Sequence, residues 1–440
     1  MAKSGTANFY NGVATQSLRF DDGSSAYLTR TPSSSSNRKT WTFSCWVKRS
    51  SIGSYQTIFS AGTATAVQFL IRFTDYDALN IYQDTNNLDY GGYTWVNGNA
   101  NYQAKFRDTS AFYHIVVAMD TVQSGETFAS DQSLHLYVNG VEVLVSNTHT
   151  YFLENVETYV NVDNTHYIGR NVQNSHYLDG YMSDVNFVDG LALTPTSFGE
   201  LKNGAWIPIN TSGLTFGTNG YRLKFDQVGV GTASTSTIGA DTSGNTNHWT
   251  SSGIVASDCA MPDSPENNFV TWNVLSKGAG TSTAEGNLKA IYTSNNQAGI
   301  SSTFSVDTGK YYFEVGCQTA SVFIGVAPST YKNPDNINST TGSIHYAVNG
   351  NKSLAGTQTS YGASYGDGDV IGVALNLDDG EVTFYKNNSS QGALSLTSGL
   401  SYGISSASGS STSTFTVILN SGQDSSFAGT ETAQGNTDGN

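Results

Sequence analysis

Apolar and polar positions alternate with a period of two along most of the chain, and sustained helical periodicity is hard to find. In residues 40–49, TWTFSCWVKR, the side chains of Trp41, Phe43, Cys45 and Val47 fall on one side, with Thr42, Ser44 and Lys48 on the other. That pattern predicts a half-buried strand, with Trp46 as its one exception. Two hairpins can be registered from the same alternation. An Asn139-Gly140 turn pairs Val138 with Val141, Leu136 with Val143 and Leu134 with Val145, so every partner is apolar and on one face. An Asp379-Gly380 turn does the same for Leu377 with Val382 and Leu375 with Phe384. Short strands punctuated by Asn97-Gly98, Asn219-Gly220 and Asn349-Gly350 continue this grammar, and only seven prolines interrupt it. The prediction is an all-β protein made of sandwiches.

Composition sharpens that picture. The 440 residues suggest two or three domains. Charged residues make up 12%, about half of the ~25% usual in globular proteins. Disorder is excluded by 25 Tyr, 21 Phe and 6 Trp. The net charge of −15 is shared by both halves, which argues against phosphate-driven nucleic-acid binding and against attraction to an anionic membrane. No apolar run approaches the ~18 residues of a membrane span, and the start lacks the apolar core of a secretory signal. Cys45, Cys259 and Cys317 are too few and too far apart for a disulfide framework or a metal knuckle, and Cys45 and Cys317 sit in apolar-alternating strands as small core residues. From about 199 to 273 the strand grammar weakens and Ser, Thr, Gly and Asn rise, which marks a connector between two sandwiches. The boundaries drawn are an arm at 1–16, a first sandwich at 17–200, an ordered connector at 201–266, a second sandwich at 267–421 and a polar tail at 422–440.

Particular segments resemble known families. TWTFSCWVKR, FYHIVVAMD (112–120), LHLYVNGVEV (134–143), HYIGR (166–170) and YLDGYMSDVNFVDGLALTPTSFGE (177–200), in this order, resemble a laminin-G-like jelly roll of the concanavalin A type. KYYFEVGCQ (310–318), SVFIGVAPSTY (321–331) and GDVIGVALNLDDGEVTFYK (368–386) resemble the core strands of a SPRY domain. GTNGYRLKFDQ (217–227), IGADTSGNTNHWTSSGI (238–254) and DSPENNFVTWN (263–273) are similar to the segment that joins such modules in virion proteins of tailed phages, especially marine ones. The resemblance implies two concanavalin-A-like sandwiches that act as binding platforms, with ligand choice in the loops.

Catalytic chemistry is sparse in the sequence. No Glu-x-Asp-x-Glu run sets paired carboxylates along one strand face, and the spacing of Glu154 and Glu157 sends them to opposite faces. Asp378-Asp379-Gly380-Glu381 belongs to a turn, where Asp and Gly serve the backbone. The seven histidines form no zinc motif, and His114, His135 and His345 fit solvated or strand-edge roles. Hydrolase elbows and phosphate loops are missing. No cofactor is expected; Asp120 and Asp163-Asn164 supply the hard oxygen donors that calcium takes, but Asp and Asn are commonplace in turns and a calcium site needs ligands from distant loops. Aromatic residues in loop-like surroundings are the better signal. Tyr90, Tyr93, Trp95 and Tyr102 stand among Gly and Asn, and Tyr331, Tyr361 and Tyr365 lie in loops of the second sandwich. Such side chains stack on sugar rings or fill a protein pocket.

The expectation is a non-enzymatic structural protein on the surface of a tailed-phage virion, made in the bacterial host cytoplasm. It would be a capsid decoration, a fibre or a compact tail accessory that adsorbs to host-surface glycan. Its partners would be other capsid or tail proteins and further copies of itself, with no nucleic acid and no membrane insertion. The alternative is a purely architectural cement for capsid or tail, and the third reading is a glycan depolymerase.

Overall fold

A computed structural model describes residues 9–64, 67–84, 93–94, 104–122, 133–143, 152, 154–293, 298–319, 321–330, 339–409 and 414–432. The chain is all-β and divides into two compact units, Ala2–Asn268 and Phe269–Asn440.

The first unit contains β1 (Leu18–Phe20), β2 (Tyr27–Arg30), β3 (Thr40–Arg49), β4 (Gln56–Ala64), β5 (Val67–Phe73), β6 (Leu79–Asp84), β7 (Tyr93–Thr94) and β8 (Tyr113–Asp120). It continues with β9 (Leu134–Val138), β10 (Val141–Glu142), β11 (His166–Ile168), β12 (Gly180–Asp189), β13 (Gly199–Lys202), β14 (Ala205–Pro208), β15 (Tyr221–Leu223) and β16 (Thr250–Ser252). One antiparallel sheet runs β1-β12-β3-β8-β9-β10, with β15 also pairing β12. The other runs β16-β2-β11-β4-β5-β6-β7. The core lies between them, with Trp41, Phe43, Ile115 and Phe187 from the first sheet against Leu28, Phe59, Ile71 and Ile81 from the second. Fully burying each such side chain contributes roughly 1.5–3 kcal/mol.

Strand β3 is not half-buried as its alternation predicted. Thr42, Ser44 and Lys48 are as buried as Trp41 and Phe43, because residues after 190 cover the outer face of the first sheet. Trp206 donates its indole N–H to His114 Nδ1 at 2.8 Å, and Phe198 and Phe216 pack on Val116 and Val188. Residues 201–266, read from the sequence as a connector, thus add β15 to one sheet and β16 to the other, and help seal the outer face of the first sheet.

The second unit contains β17 (Trp272–Lys277), β18 (Thr281–Ala284), β19 (Lys289–Tyr292), β20 (Gly299–Ser302), β21 (Lys310–Cys317), β22 (Val322–Pro328) and β23 (Ile344–Ala347). Then come β24 (Asn351–Leu354), β25 (Thr357–Ser360), β26 (Val370–Asn376), β27 (Glu381–Lys386), β28 (Ser389–Ser395), β29 (Tyr402–Ser408) and β30 (Phe415–Asn420). Its sheets run β17-β20-β29-β22-β23-β24-β25 and β18-β19-β30-β21-β26-β27-β28. Val315, Ile324, Tyr346, Val373, Phe384 and Val417 meet between them.

The hairpin at Asn139-Gly140 has the predicted register, Val141 opposite Val138 and Val143 bonded to Leu136, although Val141 itself is exposed. Val145 lies outside the described residues. The hairpin at Asp379-Gly380 differs by two positions: Leu375 faces Val382 and Val373 faces Phe384. Its loop is four residues, not two. Asn376 Oδ1 accepts the Asp379 N–H at 3.1 Å, and only Gly380 has a positive φ, +71°, whereas a two-residue turn of that type needs two. All three cysteines are buried, and burial pushes the thiols of Cys259 and Cys317 up to about 12.

Two of the histidines expected at strand edges are core groups. His114 is fully buried, stacked on Trp46 at 4.6 Å; because Nδ1 accepts from Trp206, its proton sits on Nε2, 2.9 Å from Ser44 Oγ. His345 is equally buried, with Nε2 2.9 Å from Ser405 Oγ. Burial lowers both to about 3. His135 keeps the expected exposure and pairs with Glu142 at 2.6 Å.

Candidate functional site

Four loops at one end of the second sheet of the first unit enclose an open cleft of 540 Å³. The loop after β1 supplies Asp22. Its shape is set by Asp21, whose Oδ2 accepts the Ser24 N–H at 2.8 Å and the Ser24 hydroxyl at 2.7 Å. The loop before β4 supplies Ser54 and Tyr55, and the β5–β6 turn supplies Asp75. These two are fixed by one buried carboxylate. Asp77 Oδ1 accepts the Gly53 N–H at 2.8 Å and lies 3.1 Å from Arg49, while Oδ2 lies 3.3 Å from Arg107.

The fourth loop, after β11, supplies Asn174, Ser175, His176 and Tyr177. Asn171 organises it from beneath. Its Oδ1 accepts the N–H groups of Gln173 (3.1 Å) and Ser175 (2.9 Å), and its Nδ2 donates to His176 Nδ1 at 3.2 Å. Asn174 and His176 hold φ values of +59° and +54°, a conformation that costs energy outside glycine. The Thr57 N–H donates to the His176 carbonyl at 2.8 Å and ties the loop to β4.

The walls are aromatic and the rim is polar. Tyr55 stacks on His176 with ring centres 5.1 Å apart, and the Arg72 guanidinium lies 4.7 Å from the Tyr55 ring centre. Tyr177 donates its hydroxyl to Asn174 Oδ1 at 2.8 Å. Burial, and next the Arg72 charge, lower the His176 pKa and keep the ring neutral. Burial and then the Asp75 carboxylate raise the Tyr55 phenol. Partial loss of solvent around Asp22, and next the charge of Asp21, raise its carboxyl. The result is a neutral-to-acidic cleft of ring faces, hydroxyls, amides and two carboxylates, chemistry that suits a polyol.

Asp21, Asp22 and Asp179 bring one carboxylate oxygen each to within 4.8 Å of one another, the group among the described residues that could hold a hard cation such as calcium. The acids singled out for calcium from the sequence stand elsewhere. Asp120 Oδ1 accepts the Val122 N–H at 3.0 Å, and Asp163 Oδ1 accepts the Ser35 hydroxyl at 3.0 Å.

Of the predicted ligand-binding residues, Tyr90, Trp95, Tyr102 and Tyr331 lie outside the described residues, and Tyr93 is placed only as part of β7. Tyr361 and Tyr365 are described and are packed inward. Tyr361 lies edge-on to Tyr346 at 5.5 Å and bonds the Gly392 carbonyl, and burial raises its phenol to about 12. Tyr365 is 5% exposed, its hydroxyl 2.8 Å from the carbonyls of Val322 and Tyr346. Both pin a loop to its own sheet; Tyr365 offers no open ring face, whereas Tyr361 stays partly exposed. The cleft residues were missed because they come from loops up to 155 positions apart, each unremarkable alone.

Residues 22–197 match the sequence profile of Laminin_G_3, the concanavalin A-like lectin/glucanases superfamily, and residues 310–398 match that of the SPRY domain. The chain therefore carries a laminin-G-like and a SPRY domain, in the order that the strand motifs suggested. Solved structures similar to it include the SPRY domain of human HERC1, at 18% identity over 31% of this chain and 89% of that one, with a TM-score of 0.28. The TRIM65 PSpry domain is 17% identical over 34% and 91%, TM-score 0.30, and stonustoxin is 16% identical over 34% and 27%, TM-score 0.28. No curated protein matches the chain.

Proposed function

We propose that this chain of a laminin-G-like and a SPRY domain is a non-catalytic glycan-binding protein of a tailed-phage particle, displayed on the virion surface for host adsorption. The observation that carries the binding reading is the cleft, where Tyr55 and Tyr177 stand among Asp22, Asp75, Ser54 and Asn174. Aromatic faces beside hydrogen-bonding rims match the apolar and hydroxyl faces of a sugar ring. The net charge of −15 favours neutral sugar over an anionic ligand. The particle assignment is supported by the resemblance of the segments within 217–273 to phage virion proteins. Partners would be neighbouring capsid or tail subunits and copies of this chain.

The experiment is retention of the chain on purified host-envelope polysaccharide. Wild type is expected to bind, Tyr55→Ala to lose binding at least tenfold and Tyr365→Phe to bind as wild type. Binding unchanged in Tyr55→Ala would falsify the cleft as the site. Antibody labelling of intact particles checks the surface location, and unlabelled particles would rule it out. A second reading, glycan depolymerase, has one observation in its favour. Asp22 and Asp75 share the cleft as a pair of carboxylates. Reducing ends released from the same polysaccharide, and abolished by Asp22→Asn, would favour hydrolysis over binding alone.

A further inference from the structure

We infer that the cleft is the middle of an extended site that holds several consecutive units of a linear neutral polysaccharide along the outer face of the second sheet; this rests on the glycan-binding reading above. The inner face of that sheet is set by Leu28, Ile168, Phe59, Ile71 and Ile81, which are cross-strand neighbours in register and all buried. Alternation then turns Tyr27, Tyr167, Arg72 and Tyr82 outward. They are not scattered. Arg72 lies 4.7 Å from the Tyr55 ring centre and 5.6 Å from that of Tyr82, so Tyr82, Arg72, Tyr55 and His176 form one contiguous row. On the other side, Tyr177 approaches Tyr27 at 6.4 Å, and the Arg170 guanidinium lies 4.2 Å from Tyr27 and 4.0 Å from Tyr167. Tyr55, His176 and Tyr177 line the cleft, which therefore joins the two rows.

Each row is fixed in advance. Arg170 is 7% exposed and clamped between two rings, and Arg72 donates to Asn80 Oδ1 at 3.0 Å, so neither arginine is a free surface charge. The tyrosines they hold remain partly exposed. A ring immobilised by a guanidinium loses little further freedom when a sugar settles on it, which is the condition for a stacking subsite. From β2 to β6 the strip crosses four strand spacings, about 19 Å. That is several sugar units long, whereas the cleft alone suits one or two. Its charge selects a neutral polymer, since Asp22, Asp75 and the adjoining Asp21 and Asp179 outnumber the two arginines. The contrast with the first sheet supports use of this face: there the outer surface is sealed by Phe198, Trp206 and Phe216.

The test uses the full chain on an array of linear neutral glucose, galactose and mannose oligosaccharides, each from one to six units. Retention is expected to climb at least tenfold from disaccharide to hexasaccharide on one series. Tyr27→Ala and Tyr82→Ala should each lower hexasaccharide retention about five- to tenfold, the size of one stacking contact, and leave the disaccharide unchanged. Tyr55→Ala should abolish every length. Thermal unfolding of each variant verifies that it is folded. Equal retention of monosaccharide and hexasaccharide by wild type, or wild-type hexasaccharide retention by both flanking variants, overturns the extended site and leaves the cleft standing. Retention at no length by wild type overturns the glycan reading itself.

Discussion

The two sandwiches share an architecture but fasten themselves differently. In the first, three buried ion pairs join sheet strands to the segment after 201. Arg19 of β1 meets Asp258 at 2.8 Å, Lys48 of β3 meets Asp263 at 2.9 Å, and Asp184 of β12 meets Arg222 at 2.9 Å. Side-chain exposures for all six groups are 6% or less. In the second, the ion pairs among the described residues lie at the hairpin ends, Lys310–Asp379 at 58% and 61% exposed and Lys386–Asp369 at 27% and 19%. In a chain only 12% charged, the first domain places some of its ion pairs at internal joints, whereas those of the second among the described residues lie near the surface. A buried pair contributes little relative to apolar packing, but breaking it strands an ion without solvent. Removing one partner of such a pair should therefore cost the first domain more than removing a surface partner costs the second.

The largest effect expected from this difference is at Lys48–Asp263. Asp263→Ala leaves the Lys48 ammonium buried and should destabilise the first domain by about 3–5 kcal/mol in denaturant titration. Asp379→Ala in the second domain should leave the denaturation midpoint where it is. Equal effects at the two sites would break the comparison.

Acid provides the next contrast. His114 and His166 in the first domain and His345 in the second are buried and neutral, at about 3, 4 and 3 respectively. Their folded values lie below the ~6.5 of an unfolded histidine, so the unfolded chain takes up the proton first. Stability is therefore complete above pH ~6.5 and falls as the pH drops from there toward 4, by up to about 1.4 kcal/mol per pH unit for each histidine. His176 is lowered as well, so three such histidines against one make the first domain the steeper. Hydrogen exchange between pH 7 and 4.5 resolves the domains, and His345→Gln should flatten the slope of the second alone.

A smaller effect distinguishes the two hairpin registers. Because only Gly380 carries a positive φ, Gly380→Ala should cost about 1 kcal/mol, while Asp379→Gly should leave the midpoint unmoved. A two-residue turn with both central residues at positive φ would instead gain from Asp379→Gly.

That hairpin shows where sequence reading stops. A slip of two positions keeps every side chain on its own face, so Leu375 and Val382 alternate equally well in either register. A slip of one would have been visible. The all-β class and the concanavalin-A-like and SPRY domains were legible because alternation and turn residues are local. The sealed outer face was legible only as an irregularity: Trp46 broke the pattern of β3 because it meets His114 and Met261. The cleft was not legible. Asp22, Tyr55, Asp75 and Tyr177 meet only after loops separated by the whole sheet converge, and no spacing rule links them. Tyr365 misled in the opposite way, since a loop tyrosine with both neighbouring carbonyls in reach is a core residue.

The proposed ligand site is the first domain's cleft. Titration of the full chain with host-envelope polysaccharide, followed by backbone and aromatic NMR, tests it directly. Resonances of Tyr55, Asp75, His176 and Tyr177 should shift together with one saturation curve, while those of Tyr361 and Tyr365 stay in place. Shifts confined to residues 310–420, or none at saturating polysaccharide, would contradict it.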